Sequence, residues 1–416
     1  MENFWNAKRL LVIGQVWPEP TSSAAGSRMI QLIAWFLKQG VQVQFACAAG
    51  KSEFSFDLPA LGVKEEPIAL NDSALDDQLA AWKPDVVLFD RFMIEEQYGW
   101  RVAQVCPNAL RLLDTEDLHF LRHARHESFK RGIPFDEMPL FTERAKREIA
   151  SIYRCDASLI ISEYEMQLLQ QRFKIDADLL YYLPFMEADT TVEAKNEWPS
   201  FEQRRDFVFI GNFIHEPNWN AVQVLKTRIW PLLRKRLPQA QLHIYGAYAS
   251  AKVSQLHQPK EGFIVGGRAA EVGPVLTAAR VLLAPIQFGA GIKGKFVDAM
   301  KSGTPSVTTS IGAEGMTGDL PWNGFIADSD ADFIDQAVLL YQDRALWQEA
   351  QWRGSAILSE RYADERAATH FLEWLTNRMV NLQKYREFNF VGQLLLHHTM
   401  QSTKYMGLWI EQKNKG

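Results

Sequence analysis

The sequence predicts two tandem α/β domains, each a doubly wound parallel sheet, and three observations carry that prediction. Short apolar runs of strand length alternate with stretches of helical period through both halves of the chain. Several runs end at a glycine, as at Gly14, Gly211 and Gly246, where a strand hands over to a loop. Between the halves, from Glu187 to Arg205, the chain turns polar and loses any sustained apolar period, as a linker would.

Taken in order, Leu10–Ile13 is the first strand and is followed by a loop rich in Pro, Ser and Ala. A helix is expected from about Arg28 to Gln39, with Met29, Leu32, Ile33 and Phe36 on one face and Gly40 as its left-handed stop. Val41–Ala46, Val86–Phe89, Ala109–Leu113 and Ser158–Ile161 complete the strands of the first half. In the second half the strands are Phe207–Ile210, Leu242–Tyr245, Phe263–Val265, Val281–Ala284, Ser306–Thr308 and Gly324–Ile326. Pro231 must kink or split the helical region between the first two, since it has no amide proton to donate. The expected division is 1–190 and 205–376 for two Rossmann-like domains. Residues 377–416 form a helical segment that packs back on the first through Phe388, Val391, Leu394 and Leu395. A membrane-surface role is the rarer alternative for that segment.

Composition narrows the function. The 416 residues are 47% hydrophobic and 23% charged, and 45 basic against 50 acidic residues leave a formal charge of -5. A general nucleic-acid binder would need a basic excess for the phosphates, so no nucleic-acid partner is expected. Cys47, Cys106 and Cys155 have no metal-site or disulfide spacing, and a reducing cytoplasm is the simplest home. Met1 to Arg9 carries charges and a short strand in place of a signal-peptide core, and no run approaches the roughly 18 apolar residues of a spanning helix.

The chemistry concentrates in APIQFGAGIKGKFVDAMKSGTPSVTTSIGAEGM, Ala284 to Met316. A strand ends, a loop opens with Gly289, Gly291 and Gly294, and a helix follows from about Lys295 to Lys301. Glycines let backbone approach a bulky anion, and a helix N-terminus offers free amides with a partial positive charge. Lys293 and Lys295 add full charges suited to a diphosphate. Lysine there opposes the helix dipole unless an anion offsets it. Asp298 lies one turn beyond Lys295 and can accept from both hydroxyls of a ribose, or act as an N-terminal dipole partner.

This segment resembles the donor-binding signature of glycosyltransferase family 4, and Phe207 to Pro238 (FVFIGNFIHEPNWNAVQVLKTRIWPLLRKRLP) resembles the opening of that family's second domain. The resemblance implies a GT-B fold, with two Rossmann-like domains facing across a cleft and a C-terminal crossing helix. It implies a nucleotide-sugar donor (UDP, GDP, ADP or dTDP sugar) held mainly by the second domain. It further implies retention at the anomeric carbon with no obligatory metal or other cofactor. Three departures are visible. Ala290 stands where many members have the first of two glutamates, with Asp298 at the second position, so the backbone amides of Gly291 and Ile292 are expected to grip the sugar. Asn212 follows Gly211 where many relatives have arginine, which shifts phosphate charge onto Lys293 and Lys295. Glu116 stands where relatives often have histidine in a His-Asp pair, while Asp117 matches.

On the facing domain, Gly26 would let backbone approach the donor, and Arg28 either reaches a phosphate or simply leads its helix. Asp117 is expected to orient a sugar, whereas Asp114 is expected to cap the next helix. Glu314 either meets a sugar hydroxyl or shapes its loop. The segment from His119 to Arg131, with Arg122, His123, Arg125, His126 and Lys130, is a solvated helix face or else a patch for a lipid-linked or anionic acceptor. The resulting expectation is a cytoplasmic glycosyltransferase acting on a glycan or lipid-linked acceptor in cell-surface polysaccharide synthesis, with peripheral contact at the inner membrane face as an option. Lys295 and Asp117 carry the catalysis. A GT-B nucleotide-sugar 2-epimerase and a nucleotide-sugar-binding scaffold are the rival expectations.

Overall fold

The computed structural model describes residues 4–188, 197–363 and 365–415, so residues 189–196 of the expected linker lie outside the described residues. The first sheet has seven strands: β1 (Arg9–Gly14), β2 (Gln42–Cys47), β3 (Lys64–Pro67), β4 (Val86–Asp90), β5 (Leu110–Asp114), β6 (Ala157–Ile160) and β7 (Leu180–Tyr182). They run parallel in the order β3-β2-β1-β4-β5-β6-β7. The second sheet holds β8 (Arg205–Ile210), β9 (Leu242–Tyr245), β10 (Phe263–Gly267), β11 (Ala279–Ala284), β12 (Ser306–Thr308) and β13 (Gly324–Ile326). These are also parallel, in the order β10-β9-β8-β11-β12-β13. Every residue of β4 and β5 is buried, as strands covered by helices on both faces must be.

In the first domain, α1 (Ala24–Lys38), α2 (Ala74–Trp82), α3 (Phe92–Val105), α4 (His119–Arg131), α5 (Glu143–Arg154) and α6 (Glu163–Gln171) flank the sheet. Helix α1 starts four residues before the expected Arg28 because Ser23 caps it, its hydroxyl accepting from Gly26 N. The second domain is flanked by α7 (Glu216–Val224), α8 (Trp230–Arg236), α9 (Val272–Ala278), α10 (Gly294–Lys301), α11 (Asp330–Gln342) and α12 (Arg344–Ile357). Pro231 falls in the first turn of α8, directly after a π-helical turn at Leu225–Ile229. The wider turn accommodates the missing amide and splits the helix as expected.

The chain then returns to the first domain through α13 (Glu365–Val380), α14 (Leu382–Phe388) and α15 (Phe390–Lys415). The return begins earlier than residue 377. Phe371 and Leu375 are buried in the first domain's core with Trp5, Trp35 and Phe36, and the rings of Trp35 and Phe371 lie 4.6 Å apart. Helix α15 lies on α3 and α5, yet Phe388, Val391 and Leu394 are exposed. Three of the four residues expected to pack inward face outward, and Leu395 is half-buried. Cys47, Cys106 and Cys155 are buried free thiols, and no described helix is long and apolar enough to cross a membrane.

Two expectations fail inside the first domain for one reason. Arg28 does not reach the cleft: its Nε lies 3.1 and 3.0 Å from the two carboxylate oxygens of Asp114, and its Nη1 donates to the carbonyls of Leu183 and Pro184. The two side chains are 1% and 0% exposed. Asp114 therefore caps no helix; it neutralises Arg28 and ties α1 to the end of β5. The first amides of α4 are satisfied instead from afar. Leu118 N donates to Glu165, and His119 N and Phe120 N donate to Glu148. Burial pushes the Glu148 carboxyl up to about 8. Replacing Asp114 with alanine leaves a guanidinium unpaired in a dry interior, a loss expected to cost about 3–5 kcal/mol. Urea unfolding reads it, and a change below about 1 kcal/mol would show that the pair does not hold this junction.

Candidate active site

In doubly wound sheets the ligand crevice opens at the carboxyl ends of the strands, where strand order reverses. Those points are β1/β4 in one sheet and β8/β11 in the other, and the loops beyond them line one cleft of about 650 Å³. Its second-domain wall is built on α10. That helix has no capping side chain and no acid in its first turn, so no side chain offsets the positive dipole end at its start. Lys295 Nζ donates to Asn218 Oδ1 at 2.5 Å and lies 5.2 Å from the Phe209 ring centre. Gly211 makes that arrangement possible, since a Cβ there would fall 2.8 Å from Asn218 Cγ. Lys293 Nζ donates to Gly291 O at 2.9 Å. Burial lowers Lys293 to about 8, and burial together with repulsion from Lys293 lowers Lys295 to about 7. Burial raises Asp298 to about 6. Two ammonium groups beside a helix N-terminus, each discouraged from ionising, form a site that gains most from a bound dianion.

The first-domain wall carries Arg91, Glu116, Asp117, His119 and Arg122. Arg91 and Glu116 have φ of 71° and 61°, left-handed values unusual for their residue types. Both follow a central strand directly or nearly so. Asp117 accepts two hydrogen bonds from Arg122 Nη1, at 2.8 and 2.6 Å, and lies 3.4 Å from His119 Nε2. Burial alone would raise it, but Arg122 and His119 outweigh that and hold its carboxyl below the usual range. Burial and the neighbouring Asp114 push Glu116 well up, and its Oε1 has no hydrogen-bond partner. Burial drives His119 down to about 3 and His215 to about 4, so both are neutral imidazoles.

The walls meet along a seam of glycines. A Cβ on Gly291, whose φ is 63°, would fall 2.8 Å from Asp117 Cβ, and one on Gly294 would fall 2.7 Å from Ala24 Cβ. One on Gly315, at φ 72°, would collide with Ser162 Oγ. Polar contacts then lock the approach. Arg125 forms two bonds with Glu314, at 2.7 and 2.6 Å, and a third with Gly289 O at 2.8 Å. His126 stacks on Phe288 at 4.3 Å. At the far end, Tyr248 OH bonds the Glu19 carboxylate at 2.8 Å, and Arg268 Nη2 bonds Thr21.

The structure thus gathers Gly211, Asn212, Gly289, Ile292, Lys293, Lys295, Asp298 and Asp117 around one cleft. It removes four others from the ligand. Arg28 is consumed by Asp114, and Gly26 serves packing, because a Cβ there would collide with the Glu19 backbone. Glu314 is consumed by Arg125. The Gly291 amide, expected to hold a sugar, donates instead to Glu165 Oε1 at 2.9 Å. Helix α4 divides: His123, Lys130 and Arg131 are on a solvated face, as expected, while Arg125 and His126 form the domain seam. Arg91 was not singled out by sequence, although its place directly after the switch-point strand Val86–Asp90 is a usable signal.

Residues 204–343 match the family model described as glycosyl transferases group 1. No curated protein matches the chain by sequence. Among solved structures, the fold is similar to a sucrose-phosphate synthase from Thermosynechococcus elongatus (TM-score 0.66, 14% identity, 90% of this chain and 100% of that one). It is also similar to Anabaena HepE in complex with UDP and glucose (0.63, 13%, 88% and 99%). A third is WaaG, a glycosyltransferase involved in lipopolysaccharide biosynthesis (0.58, 12%, 86% and 98%). The architecture is GT-B.

The seam gives a direct test. Gly315→Ala places a methyl against Ser162 and forces an L-residue into the left-handed region, at a cost of about 1–2 kcal/mol. The expected result is a lower unfolding midpoint together with a larger radius of gyration by small-angle scattering. An unchanged radius would mean that the domains tolerate the added methyl without parting.

Proposed function

We propose that the chain is a retaining glycosyltransferase that moves a sugar from a nucleoside diphosphate to a hydroxyl of a glycan or lipid-linked acceptor. The observation that carries this reading is α10, with Lys293 and Lys295 at its uncapped start and Asp298 one turn on, facing Asp117 across the cleft. The glycosyl transferases group 1 match over the second domain supports it. In the reaction the bond between the anomeric carbon and the diphosphate oxygen breaks. The acceptor oxygen bonds that carbon from the face the diphosphate leaves, and its proton passes to a phosphate oxygen. Lys295, Lys293 and the helix amides stabilise the charge growing on the leaving group, an electrostatic effect largest in a site that excludes water. Asp298 accepts from the ribose hydroxyls. Asp117, fixed by Arg122, orients a sugar hydroxyl. The scheme assigns the phosphate charge to lysines and backbone and requires no metal or other cofactor. By analogy with WaaG, the setting is surface-glycan assembly at the cytoplasmic side of a membrane.

Thermal stabilisation by UDP, GDP, ADP and dTDP, beside the Lys295→Ala/Asp298→Ala variant, tests the donor site. One nucleotide is expected to raise the melting temperature of the parent and not of the variant. Stabilisation of both equally would remove these residues from the site.

A second test follows from the two lysines. A bound diphosphate favours their protonated forms, and in the empty cleft Lys295 loses its proton near pH 7 and Lys293 near pH 8. Binding must then take up a proton, so affinity falls as pH rises through 7, by up to about tenfold per unit, and more steeply above 8. Lys295→Ala should keep only the upper step. Calorimetric titration across this range reads the slope, and a flat profile would rule out phosphate binding by either lysine.

A further inference from the structure

Helix α15 has two faces. Its inner face is closed against the first domain. A Cβ on Gly392 would collide with Tyr153 O, Leu396 is buried, Gly407 lies against Trp100, and Glu411 accepts from Ser73 Oγ at 2.8 Å. The outer face carries Phe390, Val391, Leu394, Tyr405, Leu408 and Trp409. At 3.6 residues per turn these six fall within an arc of about 100° and extend over roughly 28 Å of helix. Phe390 is 72% exposed, Tyr405 66% and Trp409 61%, with Val391, Leu394 and Leu408 between 42% and 46%. Phe388, at the end of α14, is 78% exposed.

The charges beside the stripe decide what can cover it. On the helical wheel Lys404 lies about 40° beyond one edge of these six and Lys413 about 40° beyond the other, where the exposed Met406 adjoins it. The only acid in α15 is Glu411, which is on the inner face and bonded to Lys415 and Ser73. A second copy of this chain, packed stripe to stripe about a two-fold axis, would bring lysine edge against lysine edge. A lipid surface reverses the sign: aromatic and aliphatic side chains enter the acyl boundary while flanking lysines meet anionic headgroups.

We propose that the outer face of α15 is an interfacial membrane-binding surface that docks the first domain on anionic lipid. The helix lies flat on the bilayer and does not enter its core. The apolar stripe supplies affinity, and Lys404 and Lys413 supply preference for negative headgroups.

Flotation of the full chain with vesicles tests this without any reference to turnover, using phosphatidylcholine alone and phosphatidylcholine mixed with phosphatidylglycerol. The parent is expected to float with the mixed vesicles. Tyr405→Ser/Leu408→Ser/Trp409→Ser is expected to lower the partition coefficient by about tenfold or more. Lys404→Glu/Lys413→Glu should abolish the preference for phosphatidylglycerol. All of these side chains are at the surface, and an unchanged melting temperature confirms that the variants fold. A parent that stays unbound, or a triple variant that floats as well as the parent, overturns the proposal. So does a parent dimer, seen by analytical ultracentrifugation without flotation, that the triple variant converts to monomer; the face would then belong to a second copy.

Discussion

One carboxylate oxygen bonds backbone of both domains. Glu165 Oε1 accepts from Leu118 N at 3.0 Å, in the first domain, and from Gly291 N at 2.9 Å, in the second. One of those amides opens α4 and the other lies in the glycine loop of the cleft. The carboxyl is buried, and burial with nearby Asp117 raises it to about 7, so the two backbone amides work against the cost of keeping it ionised. Most of the cleft's shape follows from this junction. With α4 fixed, Arg125 and His126 point at Glu314 and Phe288. With Gly291 fixed, Lys293 and α10 are brought opposite Asp117.

The two walls then differ in character. The second-domain wall is cationic and underpaired, with its lysines held near neutrality by burial. The first-domain wall carries acids in two states of pairing: Asp117 is held by Arg122, while Glu116, pushed well up by burial and Asp114, leaves its Oε1 without a hydrogen-bond partner. The strained backbone at Arg91 and Glu116 lies at the same end of the sheet, where two central strands deliver side chains into the cleft. Strain of this kind persists where surrounding packing over-determines it.

What the sequence made legible was local. The strand, glycine loop, helix and Lys-x-x-Asp spacing occupy consecutive residues, and their geometry follows from helical pitch alone. The central strands were legible because burial on both faces leaves mostly apolar runs, as in VVLF of β4 and LL of β5, where Arg111 is the one charged residue before Asp114. The edge strands of the first sheet were not: β3 reads KEEP and β7 is three residues long, so neither carries a periodic signal. The misassigned charged residues share one property. Arg28 and Asp114 are 86 positions apart, and Arg125 and Glu314 are 189. A charged residue near an expected cleft looks functional until its partner is known, and partners at such separations leave no spacing to detect. Helix α15 misled in the opposite way, since an apolar period locates a face without saying whether protein covers it.

The glycine seam bears on modularity. Gly291, Gly294 and Gly315 belong to the second domain, yet what excludes a side chain at each is Asp117, Ala24 or Ser162 of the first. The glycine loop is therefore shaped by a partner that contributes nothing to its own hydrogen-bonded sheet. Exchange of the first domain for one from a distant relative would meet a steric code written in the second. A chimera could close only where the incoming surface presents side chains as short as these at the same three points. Cleft loops away from the seam are free of that constraint, so their side chains can change without disturbing how the two halves meet.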